Sequence, residues 1–174
     1  MKREVLLVDG YNIIFAWDKL RRLADESLED ARRKLMDILC DYQGFRQNQV
    51  ILVFDAHMVK NGLGSVTPYH NITLVFTKQA ETADNYIEKV SGALARQRQN
   101  LVRVATSDQL EQVIILGKGA TRVSASELEQ EVAEARQEAR RVALARKPIK
   151  SNQLIDNLDE KTAETLEKLR LTKS

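Results

Sequence analysis

Three strand-like runs in this chain stop at an aspartate, and no other feature constrains the fold as much. Val5-Leu6-Leu7-Val8 leads into Asp9-Gly10, Val50-Ile51-Leu52-Val53-Phe54 into Asp55, and Leu101-Val102-Arg103-Val104-Ala105 into Thr106-Ser107-Asp108. Apolar runs of this length bounded by turn formers suit strands buried on both faces. Ile72 to Phe76 and Ala120 to Val123 read as two more strands. Helical spacing fills the gaps. Ser27 can cap a helix carrying Leu28, Ala31, Leu35, Ile38, Leu39 and Tyr42, with Gly44 as its stop. Thr82 can cap a helix with Ala83, Ile87, Val90 and Leu94 on one face, and another occupies Gln109 to Leu116. Ser124 with Glu127, or Ser126 with Glu129, makes a capping box for a long helix from about 124 to 147, which Pro148 ends. Residues 57–70 are rich in Gly, Ser, Asn and Pro and read as a loop. This alternation predicts an α/β domain over residues 1–147, with a central, mostly parallel five-stranded sheet flanked by helices. Residues 148–174 are expected to form a tail with a short helix.

Composition narrows the setting. The 174 residues are 43% apolar and 30% charged, as in a soluble globular domain. No apolar run approaches the roughly 20 residues of a membrane span. The first residues pass into a strand too soon for a signal peptide, so a cytoplasmic location is expected, with no membrane partner. The single cysteine, Cys40, excludes an internal disulfide and reads as inert core. One Cys and two His exclude zinc sites built on several cysteines. The net charge of +2 says little, but Arg136, Arg140, Arg141, Arg146, Lys147 and Lys150 face only one acid, Glu138, between 136 and 150. Such a stripe is either a solvated helix face or a surface that neutralises phosphates.

The chemistry lies at the strand ends. Parallel sheets gather ligands beyond the carboxyl ends of their strands, so Asp9, Asp55 and Asp108 should converge. Glu81 and Asp84, at the start of the helix after Ile72–Phe76, would add two carboxylates on one face. Each acid alone has a plainer role as a cap or turn former, but caps have no need to coincide at one edge. A carboxylate cluster persists when a cation neutralises it. Hard oxygen ligands suit Mg²⁺ or Mn²⁺, and a metal so held suits phosphodiester hydrolysis. Asn12 is a turn residue or a hydrogen-bond partner of Asp9, and Ser107 a cap or a hydroxyl orienting a neighbouring carboxylate. His57 and His70 lie in the expected loop, exposed or in contact with RNA. Tyr11, Phe15 and Trp17 could stack on bases, with packing against the sheet the plainer alternative for Phe15 and Trp17.

The segments Leu7-Val8-Asp9-Gly10-Tyr11-Asn12-Ile13-Ile14, Val53-Phe54-Asp55-Ala56, Glu81-Thr82-Ala83-Asp84-Asn85-Tyr86-Ile87 and Ala105-Thr106-Ser107-Asp108 closely resemble the NYN domain family, in its YacP-like bacterial branch. The resemblance covers roughly residues 4–147, and the basic helix and tail also look like that branch. It implies a PIN-like Rossmannoid three-layer fold and a divalent-metal endoribonuclease. It further implies cleavage of mRNA in association with the ribosome. Asp9, Asp84 and Asp108 become the implied metal ligands, with Glu81 and Asp55 binding metal or positioning water. Asn12 and Ser107 become supporting groups, and Arg136, Arg140, Arg141 and Lys147 the RNA-binding stripe.

Rival readings fit less well. A receiver domain would want paired acids at the end of the first strand, where Val8 precedes Asp9, and a lysine where Arg122-Val123-Ser124 stands. A haloacid-dehalogenase phosphatase would want a second Asp at position 11, which is Tyr. No P-loop lysine motif is present. A non-catalytic RNA or ribosome adaptor would suit the basic stripe, but carboxylates on a phosphate-binding surface weaken binding unless a metal intervenes.

Overall fold

A computed structural model of the chain describes residues 1–58 and 63–146. The elements are β1 (Arg3–Asp9), α1 (Gly10–Ala16), α2 (Asp18–Glu26), α3 (Leu28–Arg46), β2 (Gln49–Phe54), β3 (Leu63–Tyr69), β4 (Ile72–Lys78), α4 (Ala83–Ala95), β5 (Asn100–Ala105), α5 (Gln109–Gly117), β6 (Thr121–Val123) and α6 (Ala125–Ala145). By its contacts the chain divides into residues 1–138, which hold the sheet, and residues 139–174. Of the second unit the structure describes only the end of α6 and Arg146. The expected tail helix, with Lys147 and Lys150, lies outside the described residues.

The sheet runs in the order β3-β4-β2-β1-β5-β6. All pairings are parallel except β3 with β4. Successive side chains of a strand face opposite sides, and the two cores sort accordingly. Leu6 and Val8 of β1 and Val50, Leu52 and Phe54 of β2 pack with α1, α2, α3 and the first half of α6. Leu7, Val53, Val75, Val102 and Val104 pack on the other face with Ile87 of α4 and Ile115 of α5. Three layers result.

The sheet has six strands rather than the expected five, because part of the expected loop is β3. Tyr69 pairs with Ile72 across a two-residue turn, with His70 in the left-handed region at φ 49°. Gly64, Ser65 and Pro68 make β3 read as loop, yet an edge strand tolerates them because one side of its backbone needs no partner. Two helices between β1 and Ser27 also escaped the sequence pattern, since α1 starts at Gly10 with no separate cap. Nor does Gly44 stop α3. The helix continues to Arg46 and ends at Gln47, which adopts φ 58°.

Caps that the sequence does reveal hold their helices. Ser27 accepts from the Asp30 N–H, Thr82 from the Asn85 N–H, and Ser124 and Glu127 bond reciprocally. Trp17 is buried, and its Nε1 donates to the Ala125 carbonyl at 2.8 Å, tying the α1–α2 corner to the start of α6. The Arg103 guanidinium pairs with Glu4 and Glu131, and the Tyr42 hydroxyl donates to Glu131 at 2.8 Å, so α3 and α6 are fixed to β1 and β5. Cys40 lies half-buried against the Tyr69 carbonyl, and burial pushes its thiol up, consistent with an inert role. Among the described residues no helix is long and apolar enough to cross a membrane.

Candidate metal centre at the sheet edge

The chain winds outward from β1 through β2 to β4, then returns to place β5 on the other flank of β1. Crevices form where strand order reverses in this way, and β1 ends there. Asp9 is the last residue of β1 and is 3% exposed. Because α1 begins at the next residue, the Asp9 carboxylate caps it, accepting from the Asn12 backbone N–H at 3.3 Å and from Asn12 Nδ2 at 2.8 Å. The Ser107 hydroxyl, beyond β5, donates to Asn12 Oδ1 at 2.5 Å. This chain of bonds fixes the Asp9 carboxylate from both strands.

Gly10 permits the abrupt start of α1. A Cβ there would sit 2.3 Å from the ring of Phe54, a fully buried side chain on β2. Gly10→Ala is therefore expected to lower unfolding free energy by about 1–3 kcal/mol through overpacking. Urea denaturation checks this, and an unchanged midpoint would mean that the Phe54 ring moves aside freely.

Two further carboxylates meet Asp9. Asp84 lies exposed in the first turn of α4, and Glu111, 6% exposed, lies in the first turn of α5. One carboxylate oxygen from each of Asp9, Asp84 and Glu111 falls within 4.8 Å of the others. The buried Thr106 hydroxyl donates to Glu111 Oε2 at 2.6 Å, whereas Glu111 Oε1 is buried without a hydrogen-bond partner among the described residues. Burial pushes Glu111 up to about 8, the Thr106 bond opposing and the charges of Asp9, Asp84 and Asp108 adding to the rise. Burial likewise pushes Asp9 up to about 7, against the pull of Asn12 and with Asp84 adding. Near neutral pH Glu111 thus holds a proton and Asp9 is in the middle of its titration, and a bound cation would displace the protons of both. An all-oxygen set with one unspent buried lone pair fits a hard divalent cation of the Mg²⁺ or Mn²⁺ kind.

The other expected site residues stand around this group. Asp108 Oδ1 caps α5, accepting from the Leu110 and Glu111 N–H groups at 2.8 and 3.2 Å. Asp55 accepts from the His57 N–H at 2.9 Å and the Ala83 N–H at 3.4 Å, linking the end of β2 to the start of α4. Glu81 faces Lys89 at 3.6 Å. None of these three belongs to the carboxylate group within 4.8 Å. Arg136, Arg140 and Arg141 are exposed on α6. His57 is exposed in a 3-10 turn after β2 and His70 in the β3–β4 turn. Sequence reasoning missed Glu111. Its signal was an acid three residues after a strand-end Asp, which reads as half of a capping box but here turns to Thr106 and Asp9.

Fold and site together define an α/β domain with carboxylates clustered at the switch point of a mostly parallel sheet. The chain belongs to the YacP-like NYN domain family, whose sequence model matches residues 6–171. It is 48% identical over 129 residues to the Uncharacterized protein YacP of Bacillus subtilis (strain 168), covering 74% of this chain and 75% of that protein. Two crystal structures of Rae1 (YacP) from Bacillus subtilis share the fold. One, of a point mutant, gives a TM-score of 0.71 at 38% identity, over 95% of this chain and 99% of that one. A second gives 0.70 at 42% identity, over 95% and 94%.

Proposed function

We propose that this protein is a metal-dependent endoribonuclease that hydrolyses RNA phosphodiester bonds at the Asp9–Asp84–Glu111 edge. The observation that carries the reading is the meeting of these three carboxylates, one of which, Glu111, keeps a buried oxygen, Oε1, with no hydrogen-bond partner among the described residues. Asp9, Asp84 and Glu111 would hold Mg²⁺ or Mn²⁺. A bound ion of that kind supplies an activated water and neutralises charge in an in-line displacement at phosphorus. Asn12 and Ser107 keep Asp9 in one orientation, and Thr106 does the same for Glu111. Asp84, exposed at the rim, faces the incoming phosphate. Asp108 remains in the proposed ligand set through Oδ2, which carries no hydrogen bond among the described residues. Asp55 and Glu81 position water or a second ion. Arg136, Arg140, Arg141 and Lys147 are proposed to meet the RNA backbone. The resemblance to the YacP-like branch points to mRNA as substrate, presented on the ribosome in the cytoplasm.

The test is incubation of the full chain with long, ribosome-free RNA and Mg²⁺ or Mn²⁺, with an EDTA control. Internal cuts that need the metal are expected. If none occur there or on translating ribosomes, the adaptor reading replaces this one.

A further inference from the structure

The sequence offered three aromatics near Asp9 as base-stacking candidates, and the structure separates them. Trp17 and Tyr11 are buried, whereas Phe15 of α1 is 45% exposed. Its ring lies near-parallel to that of Tyr11, with centroids 6.4 Å apart and planes at 25°. Nearly half of the Phe15 side chain is thus left to solvent on α1, six residues along the chain from Asp9 and about 9 Å by helical rise.

At the other end of Tyr11 stands an arginine. Arg32 of α3 donates from Nη1 to the Tyr11 hydroxyl at 3.0 Å. It is half-buried, and among the described residues no carboxylate pairs with it. Its neighbour on α3 behaves differently: Arg33 pairs with Glu29 and Asp30. A guanidinium has five N–H donors in a fixed fork that matches a phosphate. One is committed to Tyr11, which orients the rest. The Tyr11 ring packs on that of Phe54, the last residue of β2, with centroids 5.0 Å apart, so the Tyr11–Arg32 pair stands near the end of the strand that leads into Asp55. A half-buried cation placed there without an acid partner serves no ion pair within the described residues.

We propose that Phe15 and Arg32 form a subsite for unpaired nucleic acid next to the carboxylates, Arg32 taking a backbone phosphate and Phe15 stacking on a base. This rests on the nuclease reading of the site and adds a substrate class to it. Stacking on Phe15 needs a base with a free face, which a continuous duplex does not offer, so the subsite selects single strands.

The experiment is fluorescence anisotropy with a labelled single-stranded RNA of mixed sequence, about 15 nucleotides long, and with its duplex. The full chain carries Asp84→Asn in millimolar Mg²⁺, so the probe stays intact. Phe15→Ala is expected to weaken single-strand binding roughly tenfold or more, with Phe15→Trp restoring it and duplex binding unmoved. Arg32→Gln is expected to weaken binding and to flatten the plot of log affinity against log salt by about 0.7, the share of one phosphate on a single strand. A purely structural role would leave that slope alone. Parent-like binding by both variants, or a parent that binds neither probe, overturns the subsite. Cleavage of long RNA by the wild-type chain is read separately, so the nuclease reading stands or falls apart from it.

Discussion

Asp84→Asn is expected to lower metal-dependent RNA cleavage by about a thousandfold or more while the protein stays folded. A metal's stabilisation of transition-state charge is worth several kcal/mol, and each 1.4 kcal/mol is about tenfold in rate. Removing one of three converging carboxylates weakens both the hold on the ion and its placement. The fold should tolerate the change. Asp84 is exposed, and Thr82 rather than Asp84 caps α4. Loss of a negative charge in the first turn costs about 0.3–1 kcal/mol. Cleavage rates and thermal melts of the same samples check both halves, and wild-type turnover would remove Asp84 from the mechanism.

Glu111→Gln should separate stability from activity. Glu111 is buried, and its pKa is pushed up to about 8, above the ordinary glutamate value. In the folded protein without metal it therefore keeps a proton that the unfolded chain releases. Where the native state binds more protons, stability falls as pH rises, here from about 4.5 through about 8. Gln mimics the protonated form and carries no such dependence. In EDTA at pH 8 the variant is expected to melt above wild type, by about 1 kcal/mol or more in unfolding free energy, with the gap closing towards pH 5. Its cleavage is expected to fall about a hundredfold or more, since an amide replaces a charged ligand. Parallel melts of the two proteins across pH would show whether the acid is held neutral by the fold.

The parallel core was legible because β1 and β2 contain continuous apolar runs and β5 is broken only by Arg103, a pattern that burial on both faces produces. The edge strand was not, because β3 answers to solvent on one side and carries Gly64, Ser65 and Pro68. Asp9 and Asp84 could be read from strand ends and a helix start, both local signals. Glu111 could not, since what distinguishes it from a helix-start glutamate is burial beside Thr106, a residue on the preceding turn. The same limit applies to Arg32. Its pairing with Tyr11 crosses from α3 to α1, and no periodicity within α3 announces it. Local chemistry places the acids, while the environment that tunes them comes from packing.

The most direct test of the metal centre is a calorimetric titration of Mn²⁺ into the wild-type chain and into the Asp9→Asn, Asp84→Asn, Glu111→Gln triple variant at about pH 6.5, below both raised carboxyls, where each still mostly holds its proton. The wild type is expected to bind Mn²⁺ with release of protons, seen as a heat that changes with the buffer, because Asp9 and Glu111 must ionise to ligate. The triple variant is expected to bind no ion at this site. Equal affinity in the two proteins would contradict a centre built on these carboxylates and put any metal elsewhere.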